Sequence, residues 1–481
     1  MTARWRVHPG GGCGRLREEC GVFGIWGHPH AVELTHVALY ALQHRGQESA
    51  GIASVRDGHL RLHKGMGLVS EVFSEGVLRD MAGEAAIGHV RYSTFGASDP
   101  VNAQPLVVRY RRGMLGLAHN GNLVNAPQLR DELEGQGSIF QTTLDTEVIA
   151  HLIARRPTRE LADAVAGSLA EVKGGYALVF LTSDTLIGAR DPHGIRPLCL
   201  GRLDGSWLLA SETCAFDAVG AEFVREVEPG EMVVVTRDGL VSQRAAPAGR
   251  PALCVFEYIY FARPDSDLDG LNVHSVRKQL GRVLARVRPV EADLVTGVPD
   301  SSVSAATGYA EEAGIAYEMG LVKNRYIGRT FIVPRQEGRA LAVRLKLNPL
   351  RKVVEGRRVI LVDDSIVRGT TSRYIVGLLR EAGAREVHLR ISSPPYRYPC
   401  YYGIDTSAHG ELVAADKDVE EIRRLVGADT LAYLPLEGLA EALGRPLDRY
   451  CVACFTGDYL VPPPVPLHKF LFERGRVARG V

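Results

Sequence analysis

The chain has 481 residues, 46% of them hydrophobic, with 57 Lys and Arg against 56 Asp and Glu. That length suffices for two or three separate cores. A net charge of +1 provides no positive field for a nucleic acid backbone, and no run of apolar residues is long enough to span a bilayer. Residues 1–19 contain arginines but no apolar stretch, so they do not read as a secretory signal. Eight cysteines without an export signal argue against a disulfide framework and for a cytoplasmic location.

From residue 20 onward the pattern is of short strands. "GVFGIWG" (21–27), "GIASVRDG" (51–58), "AIGHVRYST" (86–94), "LGLAHNG" (115–121), "YALVFLTSD" (176–184), "WLLASE" (207–212) and "MVVVTRDG" (232–239) are strand candidates. Their Gly and Asp-Gly turns favour antiparallel pairing. Helical periodicity shows in "VELTHVALYALQHRG" (32–46) and "LDTEVIAHLIARR" (144–156), which makes this half α+β. His59 and His63, on one strand, read as surface residues.

Cys20 heads the first strand, behind two glutamates. A thiol has a reference pKa of about 8.5 and needs a base to act as a nucleophile at neutral pH. No Cys/His/Asp order is readable around it. If the bond between Glu19 and Cys20 is cut, however, the freed α-amine, with a pKa of about 7.7–8.0, can take the thiol proton. "HNGN" (119–122) then offers the Asn120 amide and the Gly121 N–H as an oxyanion hole. Arg91 is suited to a substrate carboxylate. Asp145 stands at a helix start, where it either caps the helix or takes an ammonium group.

"SQRAAPAGRPA" (242–252) reads as a linker, and strands alternate with helices after it. "DLVTGVPDSS" leads to "VSAATGYAEEAG", and "RRVILVDDSIVRGTT" to "SRYIVGLLREAG"; this alternation implies a mostly parallel sheet with crossover helices. Asp363 and Asp364 fall at a strand's carboxyl end, where open α/β sheets bind ligands. The loop behind them opens a helix whose N–H groups, with Thr370 and Thr371, suit a phosphate. The acid pair suits ribose hydroxyls or Mg²⁺. Ser301, Lys323, Arg325, Arg329 and Lys346 are further candidates around a diphosphate, with Gly328 giving mobility to a basic loop at 323–332. Cys254, Cys400, Cys451 and Cys454 read as a thiolate site for which Zn and an iron–sulfur cluster both fit; Cys199 and Cys214 read as core. The tail "VPPPVP" (461–466) reads as extended.

Taken together, "CGVFGIWG", "LQHRGQESAGI", "RYSTFG", "NAQP", "HNGNL" and "RDPHGIRPL" resemble the glutaminase domain of class II glutamine amidotransferases. "VDDSIVRGTTS" resembles the signature of type I phosphoribosyltransferases. With "EYIYFARPDS" and "VKNRYIGRTFI", the match to a family joining both activities runs from Cys20 to about Tyr459.

The resemblance implies an N-terminal nucleophile glutaminase domain, an antiparallel sheet sandwich with helices, over residues 20–250. It implies a propeptide at 1–19 and an α/β phosphoribosyltransferase domain with a C-terminal extension over 251–481. It implies Cys20 as nucleophile, Asn120 and Gly121 as oxyanion hole, and Arg91 and Asp145 as glutamine ligands, although Leu144 stands where the family usually has a small polar residue. It implies Ser301, Asp363 and Asp364 as Mg²⁺ ligands. Asp363, Asp364, Ser365, Arg368, Gly369, Thr370 and Thr371, with Lys323, Arg329 and Lys346, would surround phosphoribosyl pyrophosphate. One branch of the family has both a leader peptide and a [4Fe–4S] cluster, and the leader and four cysteines here imply that branch. The implied reaction transfers ammonia from glutamine, between two active sites, to phosphoribosyl pyrophosphate. It yields 5-phosphoribosylamine, glutamate and pyrophosphate in the committed step of purine biosynthesis. Purine nucleotide inhibitors and a homotetramer are implied as well. Other class II amidotransferases would not need "VDDSIVRGTTS", and a DNA-binding regulator sensing phosphoribosyl pyrophosphate would not need Cys20.

Overall fold

The computed structural model describes residues 20–94, 96–324, 347–406, 409–465, 467 and 469–473. The first half is a four-layer sandwich. Its strands are Gly21–Trp26 (β1), Ser49–Arg56 (β2), His59–Met66 (β3), Ala85–Arg91 (β4), Leu106–Tyr110 (β5), Gly113–Leu123 (β6), Gly174–Leu181 (β7) and Leu186–Arg190 (β8). Cys199–Leu203 (β9), Ser206–Ala210 (β10), Glu222–Glu226 (β11), Glu231–Thr236 (β12) and Gly239–Arg244 (β13) complete the set. One sheet runs β11-β9-β10-β1-β4-β2-β3 and the other β13-β12-β8-β7-β6-β5. All pairings in both sheets are antiparallel. Asp57-Gly58 and Asp204-Gly205 close two hairpins with positive φ at both positions, the geometry that matches the strands' right-handed twist.

β1 is buried along its whole length because both its faces are covered. Phe23 and Ile25 point to the helix Ala31–Ala41, in a cluster with Val32 and Leu39. Val22 points the other way, where Ile87, Ala118 and Ala177 form the seam between the sheets. The helices Ala126–Gly135, Thr146–Arg155 and Leu161–Leu169 cover the outer face of the second sheet. His59 is exposed as expected, but His63 is not a surface residue. It is half-buried, with Nε2 3.0 Å from the Val72 carbonyl and its ring against Phe73.

The second half holds a parallel sheet ordered Leu294–Gly297, Arg358–Asp363, Glu386–Ile391, Thr430–Tyr433. Alternate residues of its strands pack to opposite sides. Ile360 and Val362 meet the helices Val273–Val287 and Val303–Ala313, whereas Val359 and Leu361 meet Thr370–Glu381 and Val419–Val426. The extended stretch before residue 253 matches the expected linker only in part, since β13 runs to Arg244.

A buried ion network joins the two halves. Arg45 donates to Glu212 Oε1 at 2.5 Å, to Glu257 Oε1 at 2.8 Å and to the Cys20 carbonyl at 3.0 Å. Glu212 also accepts from Ser266 Oγ at 2.6 Å and from the Arg263 N–H at 2.9 Å. Burial alone would raise the Glu212 pKa, but His44 and Arg45 outweigh it and hold the carboxyl well below the usual range. A buried pair is costly to break, because the remaining partner stays buried and charged. Arg45→Met, which takes a buried cation from both Glu212 and Glu257, is expected to cost about 3–5 kcal/mol in denaturant unfolding. Because the folded-state pKa of Glu212 is depressed, its contribution to stability is present above the ordinary carboxylate range and is lost as pH falls below it.

Candidate active sites

The first site is built where the two sheets face each other. Cys20 lies one residue before β1 and is buried, with Sγ donating to the Tyr92 carbonyl at 3.3 Å. The register Gly21↔Val90 brings Arg91, at the end of β4, alongside Cys20. Burial lowers the Arg91 pKa, and the charges of Cys20, Glu48, Asp145 and Glu473 act against that shift. Arg91 Nη1 donates to the Ala97 carbonyl at 3.1 Å.

Asn120 and Gly121 sit on β6. The Asn120 Nδ2 is buried and has no hydrogen-bond partner among the described residues, so a donor stands ready for an acceptor oxygen. Gly121 has φ +132, and a Cβ there would meet the Gly175 carbonyl at 2.0 Å, so the position admits no side chain. Asp145 does not cap the helix Thr146–Arg155 with its side chain. Its Oδ2 instead accepts the Leu123 N–H at 2.8 Å, which ties the acid to the strand of Asn120. Leu144, its neighbour, is simply core.

Sequence reasoning missed one part of this site. Residues 469–473 return to the first half, where Gly96 N–H donates to the Lys469 carbonyl at 2.9 Å. Lys469 pairs with Asp405 at 3.0 Å and lies over the Tyr92 ring. The Glu473 carboxylate accepts from the Ala97 N–H, beside Arg91, and Phe472 stacks under Arg130. No local pattern in the sequence marks Glu473, because its partners lie more than 300 residues away.

The second site lies at the carboxyl end of the parallel sheet. Asp363 ends its strand, and Asp364 follows; both are buried. Asp364 accepts from Ser301 Oγ at 2.5 Å and from Ser365 Oγ at 2.7 Å. Ser302, also missed, donates to Asp363 at 3.1 Å. Gly369, with φ +75, forms the N-cap of the helix Thr370–Glu381, and Thr371 is buried in its first turn. Lys323 pairs with Asp300 at 2.7 Å, and Arg368 pairs with Glu411, so both cations face this loop cluster already engaged. Arg325, Gly328, Arg329, Lys346 and residues 1–19, the expected leader with Cys13, lie outside the described residues.

The acid pair with its serines is an oxygen-only donor set of the kind a hard divalent cation takes. The cysteines also converge. Cys254 and Cys451 are paired in a short parallel bridge, and all four residues are buried in one cluster. Burial pushes the Cys451 thiol up to about 12 and raises the Cys454 thiol well above its ordinary value, with Cys254, Cys451 and Cys400 adding to the rise at Cys454. Four adjacent buried cysteines fit a four-thiolate cluster in donor chemistry. Among the described residues, however, no three His, Cys, Asp or Glu side chains are spaced to hold a metal ion. The Cys400 loop also touches the first site: a Cβ at Gly403 would lie 3.2 Å from Gly121 Cα, and the Tyr402 carbonyl accepts from Arg196 Nε at 2.8 Å. Among the described residues no helix is long and apolar enough to cross a membrane.

A thiol-headed antiparallel sandwich joined to a parallel sheet with an acid pair at its carboxyl end has the architecture of a glutamine amidotransferase coupled to a phosphoribosyltransferase. Residues 89–218 match the glutamine amidotransferase domain family. The amidophosphoribosyltransferase of Bacillus subtilis is 57% identical over 92% of this chain and 94% of its own length, and that of Archaeoglobus fulgidus is 52% identical over 92% and 98%. The solved structure of the B. subtilis glutamine phosphoribosylpyrophosphate amidotransferase, complexed with ADP and GMP, superposes with a TM-score of 0.88 at 56% identity, covering 92% of this chain and 98% of that one. The chain belongs to the amidophosphoribosyltransferase family. It is a glycosyltransferase-type enzyme with a glutamine amidotransferase domain, and its reaction is the glutamine-dependent amidophosphoribosyl transfer of purine biosynthesis.

Proposed function

We propose that glutamine is cleaved at Cys20 and that the ammonia passes within the chain to phosphoribosyl pyrophosphate bound at Asp363 and Asp364. In this reading residues 1–19 are a leader whose removal frees the Cys20 α-amine. Residues 20–250 form the glutaminase domain and 251–481 the phosphoribosyltransferase domain. The amine accepts the thiol proton, and Sγ attacks the side-chain carbonyl carbon of glutamine. Asn120 Nδ2 and the Gly121 N–H receive the developing oxyanion. Ammonia leaves, and water hydrolyses the thioester to glutamate. Arg91 takes the substrate carboxylate and Asp145 its ammonium group. The observation that carries the reading is the buried Asn120 Nδ2, without a partner among the described residues, beside a glycine that can bear no side chain.

At the second site ammonia displaces pyrophosphate from C1 with inversion. The N–H groups and hydroxyls of residues 365–371, with Thr370 and Thr371, cradle the 5-phosphate. Lys323, Arg329 and Lys346 attend the diphosphate. Asp363, Asp364 and Ser301 would hold Mg²⁺, which would supply charge neutralisation at the leaving group. Cys254, Cys400, Cys451 and Cys454 would hold a [4Fe–4S] cluster, which would supply a structural staple. The ADP and GMP in the B. subtilis structure support purine nucleotides as inhibitors of this chain too. A cytoplasmic homotetramer completes the reading.

Intact mass spectrometry of anaerobically purified protein tests the leader and the cluster together. The expected mass begins at Cys20 and carries iron and sulfide that are lost in air. An active preparation that begins at Met1 overturns the terminal-amine mechanism, and an iron-free one overturns the cluster.

A further inference from the structure

Nucleophile and oxyanion donors belong to different sheets. Cys20 precedes β1 in the first, and Asn120 and Gly121 lie on β6 in the second. Between the sheets the seam is formed by apolar side chains such as Val22, Ile87, Ala118 and Ala177. Apolar burial holds the sheets together but is not directional. Hydrolysis needs the sulfur and the oxyanion donors held to a fraction of an ångström.

A strand-to-strand hydrogen bond crosses this seam. His89 of β4 sits opposite Val22 in register, two residues along from Cys20. Its Nε2 is 3.0 Å from the carbonyl oxygen of His119, the residue immediately before Asn120. Both histidines are buried, at 0% and 2% exposure. A carbonyl only accepts, so Nε2 carries the hydrogen. Nδ1 is buried without a partner among the described residues. Burial drives the His89 pKa down to about 3, with the His119 carbonyl pulling the other way and Arg91, His119 and Lys64 adding to the fall. The ring is therefore neutral at working pH and keeps one fixed tautomer. A second tie, from Thr94 Oγ1 to Asn122 at 2.9 Å, starts from the loop beyond β4 and not from the strand itself.

We propose that His89 is a positioning residue for glutamine hydrolysis: its Nε2–H, held on the His119 carbonyl, sets the gap between the Cys20 strand and the peptide that carries Asn120 and Gly121. The inference rests on the roles proposed above for Cys20, Asn120 and Gly121.

The test compares His89→Met, which keeps bulk but no donor, with His89→Gln, whose amide N–H reaches the same place. Steady-state glutamine hydrolysis is measured for each variant. His89→Met is expected to lower kcat by about 10- to 100-fold, as a small misplacement of reacting groups does, while KM stays within about threefold. His89→Gln is expected to recover most of that loss. Parent-like kcat in His89→Met, or equal losses in both variants, overturns the proposal. Thermal melting identifies folded protein. If His89→Met does not fold, His89→Gln decides alone: near-parental kcat supports the role, and a loss beyond about tenfold overturns it. Asn120→Ala is run in parallel. Its undiminished hydrolysis of glutamine overturns the oxyanion reading, whereas a loss there beside an unaffected His89→Met sinks only the positioning role.

Discussion

Cys20→Ala is expected to abolish glutamine-dependent synthesis of 5-phosphoribosylamine while added ammonia still supports it. Among the described residues at the head of β1, the Cys20 sulfur is the group that can form the thioester, and loss of a nucleophile that acts as a unit with its base commonly costs about 10⁴- to 10⁶-fold. The phosphoribosyl site draws its residues from the sheet that includes Leu294–Gly297 and Arg358–Asp363, so free ammonia meets an intact acceptor. Glutamate release and phosphoribosylamine formation are measured separately, at a pH high enough to supply neutral ammonia. Loss of both routes would show that the two halves do not host separate reactions.

Asp364→Ala should have the opposite signature, with synthesis failing from either nitrogen source. The carboxylate gathers the Ser301 and Ser365 hydroxyls at 2.5 and 2.7 Å. Its removal leaves two hydroxyls without their acceptor and deletes one oxygen ligand of the proposed cation. A cation's share of leaving-group stabilisation is several kcal/mol, so the fall is expected to be at least about a hundredfold with ammonia or glutamine alike. Glutamate release, measured alone, reports whether Cys20 still works. Full synthetic activity in this variant sinks the phosphoribosyl assignment.

What could be read from the sequence was whatever a short window carries. The acid pair, the loop behind it and the helix from Thr370 are contiguous, and strand, ligand and helix start follow from their order. "HNGN" likewise holds its donor and its obligatory glycine side by side. Asp145 was ambiguous because both its possible partners fit the local pattern, and only the fold brings the Leu123 N–H, 22 positions away, to its Oδ2. His89 lies within an ordinary strand pattern, and its importance depends on a second sheet. Arg45 and Glu257 are separated by 212 positions, and nothing in either neighbourhood announces a buried ion pair. His63 misled because alternation gives the face of a strand but not what later folds over it: Val72 and Phe73 close on the ring.

The return of the tail to Ala97 has a practical side. Glu473 stands beside Arg91, next to the proposed glutamine pocket at Cys20. An affinity handle or surface-immobilisation linker inserted beside Glu473 would therefore crowd that pocket. The exposed Arg237–Asp238 hairpin tip, between β12 and β13, is the safer point of attachment.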